Sequence, residues 1–232
     1  MRALLILLVV VAIALIAGDR VAVGMAQNEI ARQIAADYKL PHQPAVTIDG
    51  FPFLTQAVDG TYQNIDIRIG DWTDADISVN DLDVKLTGVS APLGDVVNKR
   101  TANLTADTAI ATARVPFDTV QRYAPAGVVE SISDSPEGLR VAGTFPVAGI
   151  PVPATVFVTV APTDDGIVVT PVSVQAAAGG PTVSLAAVSE SLTFTIPLEK
   201  LPLGARVTSI QPAANGLHVT AEARAVRFSD LA

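Results

Sequence analysis

The stretch that decides the fold is residues 64–88, NIDIRIGDWTDADISVNDLDVKLTG. Apolar and polar side chains alternate over residues 65–69 and again over residues 82–86. Because successive side chains of a strand point to opposite faces, this predicts two strands with one apolar and one solvated face, a pattern typical of antiparallel sheets. Val89 falls out of step after Gly88, so we expect a bulge or bend there.

Three turn sequences further along the chain lie between strand-like segments, at residues 134–138, 162–166 and 214–216. Hairpins without intervening helices predict a mostly antiparallel sheet. Residues 115–141 are weakly echoed by residues 196–219, since each stretch opens with an apolar residue and a proline and closes in Gly-Leu-x-Val. The echo hints at two copies of one module.

The length of 232 residues allows one large or two small domains. The best candidate for a loose linker is AAAGGP at residues 176–181. The strand pattern is the same on both sides of it, so we predict a single domain over residues 19–232.

The N-terminus carries an unbroken apolar run, residues 3–17, between Arg2 and the sequence Gly-Asp-Arg at 18–20. This pattern predicts either a cleaved signal peptide over residues 1–18 or an uncleaved signal anchor. Cleavage after Ala14 or after Ala26 fits the small residues that precede each position. Both alternatives predict that the bulk of the chain is exported, to the outer face of the cytoplasmic membrane or the cell envelope.

Residues 19–38 predict an amphipathic helix that continues directly from the apolar run. Apolar residues recur in steps of three and four and therefore share one face; they are Val23, Ala26, Ile30, Ile34 and Tyr38. Pro41 and Pro44 then end the helix. Its apolar stripe needs a partner.

The composition excludes several classes of function. The net charge is −8 and the isoelectric point about 4.6, without a basic stripe, which argues against binding of nucleic acid or of anionic lipid head groups by charge. The chain has no cysteine, and therefore no disulfide, thiolate metal site, cysteine nucleophile or lipid-modified N-terminal cysteine. Neither a nucleophile elbow nor a phosphate-binding glycine loop occurs.

The remaining polar residues suggest no catalytic or metal site. The two histidines, His42 and His218, are predicted to be ordinary surface residues. The five aspartates between residues 71 and 83 lack the order of a calcium loop, so we interpret them as the solvated side of the strands. We therefore predict no cofactor and no metal.

Two aromatic features leave alternatives open. Trp72, the single tryptophan, suits either a membrane interface or a cap over the open end of the core. In DGFPFLTQ, residues 49–56, Gly50 permits a turn and the proline favours an extended chain. Residues two apart in an extended chain share a face, so Phe51 and Phe53 are predicted to point together at a sheet edge, either as a plug in the core or as a lip over a lipid groove.

The chain has more one-faced β surface than its helix can cover. We therefore predict an α+β fold, mostly antiparallel β, in which an elongated curved sheet packs around the long N-terminal amphipathic helix and leaves an apolar groove. Concave apolar sites bind ligands, and a membrane-proximal helix makes phospholipid the natural one. The predicted lipid-binding residues are Val23, Ile30, Ile34, Phe51, Phe53, Ile65, Ile67, Trp72, Leu82, Val84 and Leu86.

Several motifs together resemble one known family: Asp19-Arg20 at a helix start, V-x-I-x-G-F-P-F-L-x-Q at residues 46–56, Gly60-x-Tyr62, and VPFDTVQRY at residues 115–123. The chain resembles the LmeA-type phospholipid-binding family of actinobacterial cell-envelope proteins. The resemblance implies a protein that binds phospholipid and supports assembly of lipid-anchored mannan glycans. It also implies an elongated β structure with an apolar cavity, similar to tubular lipid-binding domains.

Three hypotheses about function follow. The first is a non-enzymatic phospholipid carrier or sensor that meets the membrane through its N-terminal segment or by peripheral contact. The second is an envelope scaffold with an ordinary apolar core and no lipid ligand, which holds a partner such as a glycosyltransferase through its acidic surface. The third is an exported hydrolase that uses His42 or His218.

Overall fold

The computed structural model describes residues 2–74, 77–92, 94–95, 103–124, 128–147, 150–163, 166–176, 185–197 and 201–231. Its helices are α1 (Arg2–Asp37), α2 (Phe53–Asp59), α3 (Phe117–Arg122) and α4 (Leu185–Leu192), with 3-10 turns at Pro202–Gly204 and Phe228–Leu231. Its strands are β1 (Ala45–Asp49), β2 (Thr61–Asp74), β3 (Ile77–Ser90), β4 (Thr105–Val115), β5 (Val129–Ser135), β6 (Gly138–Val147), β7 (Ile150–Thr163), β8 (Gly166–Ala176), β9 (Phe194–Pro197), β10 (Arg206–Ala213) and β11 (Gly216–Arg227).

The strands form two antiparallel sheets. The first has the order β1-β2-β3-β4-β11-β10 and the second the order β5-β6-β7-β8-β9. The predicted α+β, mostly antiparallel class is thus confirmed, although the β surface is divided between two sheets. The three predicted hairpins are confirmed as β5–β6, β7–β8 and β10–β11.

The weak sequence echo coincides with the two places where the chain changes sheet. It leaves the first sheet after β4 and returns to it after β9, and each crossing is followed by a hairpin. The hairpins begin their second strands at Gly138 and Gly216, which both have positive φ angles, +123° and +155°. A Cβ atom would lie 2.6 Å from the carbonyl oxygen of Val158 in the first case and 2.4 Å from that of Val115 in the second. The two glycines therefore perform the same structural task in both hairpins.

A bend crosses the first sheet. On four neighbouring strands, two buried residues lie three positions apart, whereas regular alternation would place them on opposite faces. The pairs are Tyr62 and Ile65, Leu86 and Val89, Ala106 and Ala109, and Ala223 and Val226. Gly88 and Ala225 lie within two of these pairs and have positive φ angles of 62° and 51°. The bend predicted at Gly88 is confirmed and extends over the neighbouring strands.

Helix α1 confirms the amphipathic helix predicted from residue 19 and continues it, without a break, back to Arg2. Val23, Ala26, Ile30 and Ile34 pack in the core of the first sheet. Tyr38 was wrongly assigned to this face: it follows the end of α1 and is 54% exposed. Within the described residues, α1 is the one helix whose length and composition would let it cross a membrane.

The described residues form two apolar clusters. The first joins α1 and α2 to the first sheet. The second lies among β6, β7 and β8, where Phe145 and Val156 are completely buried, and it also includes Leu217 of β11 in the first sheet. Of the predicted linker, only Ala176 lies in the described part of the chain, at the end of β8.

Candidate functional site

The first cluster contains most of the predicted lipid-binding residues. Eight of the predicted positions meet there, from α1, α2, β2 and β3: Val23, Ile30, Ile34, Phe53, Ile65, Ile67, Val84 and Leu86. They come together because α1 packs on β1 and α2, while Ile65 and Ile67 of β2 lie opposite Leu86 and Val84 of β3 on one face of the same sheet. Sequence reasoning therefore found a real spatial cluster.

Burial divides this cluster into closed and accessible parts. Val23, Phe53, Ile65 and Leu86 are each 8% exposed or less, so they contact protein on nearly every side. Ile30, Ile34, Ile67 and Val84 are only partly buried at its margin. In this conformation a ligand can touch the second group but not the first.

Two shallow hollows are open to solvent, and one of them adjoins the cluster. One, of about 370 Å³, lies between α1 and β1 and is lined by Gly24, Gln27, Asn28, Ala31, Gln43, Pro44, Ala45 and Val46. The other, of about 230 Å³, lies across β2, β3 and β4 and is bordered by Asp66, Ile67, Arg68, Asp83, Val84, Lys85, Ile110 and Thr112. The strand pairing puts Asp66, Lys85 and Ile110 on one face of the sheet, opposite to the face of Ile67 and Val84, so this hollow belongs to the solvated face. Ligand pockets for drug-sized molecules are about 300–1,000 Å³. Only the hollow between α1 and β1 reaches the lower end of this range.

The phenylalanines of DGFPFLTQ do not point together, which corrects the prediction. Phe53 is 6% exposed and packs near Tyr62, with 6.2 Å between ring centroids, whereas Phe51 is 62% exposed. The reason is that Pro52 precedes a helix and not an extended strand: α2 begins at Phe53, so two-residue alternation does not apply. Gly50, with φ of +104°, makes the predicted turn.

Tyr62 illustrates how closed this part of the cluster is. Burial raises the pKa of its phenol above the ordinary value of 10.0. The apolar face of α2 rests on this ring and on the first sheet, which makes Phe53 a core residue.

Asp19 is the residue whose role the sequence did not reveal. It is 2% exposed, and its Oδ1 accepts a hydrogen bond from the backbone N–H of Leu54 at 2.8 Å. Pro52, at the N-cap of α2, has no capping side chain, so Asp19 satisfies a free N–H of that helix from 35 positions away. In the sequence Asp19 looks like a charge that ends the apolar run, and no local pattern marks its partner.

Three predicted residues lie outside the cluster. Phe51 is exposed beside Arg20, whose guanidinium carbon is 5.3 Å from the ring centroid. Trp72 is half-buried in β2, opposite Val79, and Leu82 is half-buried in β3, opposite Gly70. The strand pattern placed Leu82 on the apolar side, but the register shifts around Gly70 separate it from the cluster.

Polar residues in the described part of the chain build no catalytic constellation. No group of three or more His, Asp or Glu side chains there is placed to hold a metal ion. Asp71 accepts a hydrogen bond from Asn80 at 2.8 Å, and Asp81 pairs with Arg114 at 2.6 Å. These acidic residues belong to the solvated side of β2 and β3, as their alternation predicts, and His42 and His218 are both exposed.

The described fold is therefore that of an α+β protein with a membrane-length N-terminal helix joined to two antiparallel sheets. The family model of LmeA-like phospholipid-binding proteins matches residues 17–222, which is most of the chain, and the protein belongs to that family. The family is defined by phospholipid binding and not by a known catalytic activity. No curated protein and no solved structure matches the chain significantly.

Proposed function

We propose that the protein is a non-enzymatic phospholipid-binding protein, held by α1 at the outer face of the cytoplasmic membrane. The family match over residues 17–222 is the observation that carries the proposal. The exposure of residues 3–17 supports the placement, because their apolar side chains contact no other part of the described fold. An apolar helix surface of this kind is stable in the hydrocarbon core of a bilayer and not in water.

The lipid contacts are proposed at the margin of the first cluster, with residues 19–232 acting as one lipid-binding unit. Ile67 and Val84 are only partly buried where they pack against the cluster, so they are reachable without unfolding. Ile30 and Ile34 border the same cluster from α1. The more deeply buried predicted residues would meet lipid only if α1 moved away from the sheet.

The direct test is mass spectrometry of lipid bound to the natively purified full chain. Exchangeable phospholipid is the expected result, and its absence from protein purified in mild detergent would refute the function. Val84→Thr keeps the side-chain shape but adds a hydroxyl at the margin of the first cluster, which should reduce bound phospholipid. Val172→Thr, at an exposed position of β8, is the matched control and should bind as much as the wild type.

A role in lipid-linked glycan assembly is the finer part of the proposal. We infer that bound lipid is delivered to, or sensed for, an envelope glycosyltransferase that extends a mannan. Its test is the mannan profile of a deletion strain complemented with wild type or with Val84→Thr. Shortened mannan with the variant, at equal protein level, is the expected outcome.

An envelope scaffold without lipid is the second candidate, and the burial of Val23, Ile65 and Leu86 favours it. Such a core needs no ligand. Two results together would favour the scaffold: a lower melting temperature for Val84→Thr, and no phospholipid on the wild type. The scaffold hypothesis explains both results, whereas the lipid-carrier hypothesis explains neither.

A further inference from the structure

Helix α2 has an exposed apolar side. Leu54 and Val58 lie four positions apart and so share one face, where they are 45% and 79% exposed. Phe51, just before the helix, is 62% exposed. The neighbouring side of the helix, with Phe53 and Ala57, packs in the first cluster. Single exposed apolar residues are common on protein surfaces, so exposure alone does not indicate a binding surface. The position of these three residues relative to α1 is the informative observation.

The position of α2 along α1 is fixed by direct contacts. The Leu54 N–H donates to Asp19, and the Arg20 guanidinium pairs with Asp19 at 2.6 Å while lying over the ring of Phe51. Asp19 is buried, so this junction is part of the packed structure. The start of α2 is therefore held at the level of residues 19 and 20 of α1.

The length of the apolar run places this level at a membrane boundary. At about 1.5 Å per residue, residues 3–17 extend about 22 Å, which is short of the roughly 30 Å of a hydrocarbon core. Asp19 and Arg20 are the first charged residues after the apolar run, and charged side chains are costly inside the core, so the boundary lies close to them. Asp19, Arg20 and the start of α2 then lie where acyl chains meet head groups.

We propose that Phe51, Leu54 and Val58 form a membrane-docking surface that inserts into the outer leaflet beside α1. The inference rests on the membrane placement in the proposed function and adds a second point of contact. Aromatic and aliphatic side chains suit this boundary, and Arg20 can keep its charge at the level of the head groups. With α1 as the first contact, the docking surface fixes how the two sheets are oriented over the bilayer.

This orientation would bring the hollow between α1 and β1 close to the lipid. The hollow begins at Gly24, four residues beyond Arg20, which is about 6 Å along the helix. A phospholipid leaving the outer leaflet would thus meet it within one helical turn of the boundary. Because the chain carries a net charge of −8, it gains no attraction from anionic lipids, so docking should depend on apolar insertion and should not weaken as salt is raised.

The absence of cysteine makes a site-specific test straightforward. Single cysteines replace Phe51, Leu54 or Val58 in the full chain, carry an environment-sensitive fluorophore, and are reconstituted in vesicles of phosphatidylcholine with a minor fraction of phosphatidylglycerol. Ile150→Cys and Val172→Cys, exposed apolar positions in the second sheet, are the controls. The three docking positions should show a blue-shifted emission and strong quenching by a spin label on the lipid head group. The controls should show neither effect.

Equal emission and equal quenching at all five positions would overturn the docking surface, whether solvent or a protein partner covers it. A Leu54→Ser, Val58→Ser double variant should abolish quenching of a label at position 51, and its persistence would also overturn the proposal. Phospholipid carried by the same variants, measured by mass spectrometry after purification in mild detergent and before reconstitution, distinguishes failure of the docking surface from failure of the proposed function. Bound lipid without quenching supports the proposed function and refutes the docking surface. Quenching without bound lipid supports the docking surface and refutes the proposed function.

Discussion

At the residue scale, the two phenylalanines of DGFPFLTQ have separate tasks, and truncation should distinguish them. Phe53→Ala removes a ring from the first cluster and should lower the free energy of unfolding by about 3–5 kcal/mol. Phe51→Ala removes an exposed ring and should change it by no more than about 0.5 kcal/mol. Denaturant unfolding of the full chain in detergent measures both. Equal losses for the two variants would contradict the assignment of Phe53 to the core.

Tyr62 provides a pH-dependent prediction. Burial raises the pKa of its phenol in the folded protein, so its contribution to stability is complete below pH 10.0, the unfolded value, and is lost as pH rises further. Tyr62→Phe should therefore reduce the alkaline loss of stability. Tyr38→Phe, at an exposed position, is the matched control and should leave the alkaline limb unchanged. Melting temperatures across the alkaline range decide between them.

The same residues show how far the sequence predicts a site. The periodicities of α1, β2 and β3 were sufficient to bring together Ile30, Ile67 and Val84, because amphipathic elements must bury their apolar faces. They failed at Phe51, since a proline precedes either an extended chain or a helix and only tertiary contacts decide which. They also failed at Asp19, whose partner is 35 positions away.

At the scale of elements, the repeated hairpins give a matched set of glycine variants. Gly138→Ala and Gly216→Ala each combine a positive φ with a clash against a neighbouring carbonyl oxygen, so each should cost roughly 2–4 kcal/mol. Gly204→Ala has a φ of +65° but open space around its Cβ, so it should cost only the backbone strain, about 1 kcal/mol. If all three variants unfolded alike, the close contact with the neighbouring strand would be irrelevant.

The division of the strands into two sheets could not be predicted. Alternation reports which face of a strand is apolar but not which strands pair, and the pattern is the same before and after each crossing. The crossings did leave a trace, the Gly-Leu-x-Val echo, because both hairpins need a glycine beside a carbonyl and a buried leucine, Leu139 or Leu217. The weak repeat in the sequence thus coincides with the two sheet crossings, but it does not predict which strands pair.

At the scale of the whole molecule, the sequence left two cleavage positions open, and the fold treats them differently. Cleavage after Ala14 would leave every contact of α1 with the first cluster in place. Cleavage after Ala26 would remove Asp19 and Val23, which are both buried, and would leave the Leu54 N–H without its acceptor. The second cut would damage the first cluster and separate α2 from its cap.

We therefore expect the mature protein to begin at Met1 or at Leu15, and not at Gln27. Intact-mass measurement of protein from the membrane fraction identifies the start, and Ala26→Leu, which blocks the second position, should leave that mass changed only by the substitution. Ala14→Leu tests the first position: if the start of the protein is the same with and without this substitution, α1 is not cleaved there and remains as an anchor. A folded, phospholipid-bound species that begins at Gln27 would show that the junction between α1 and α2 is dispensable.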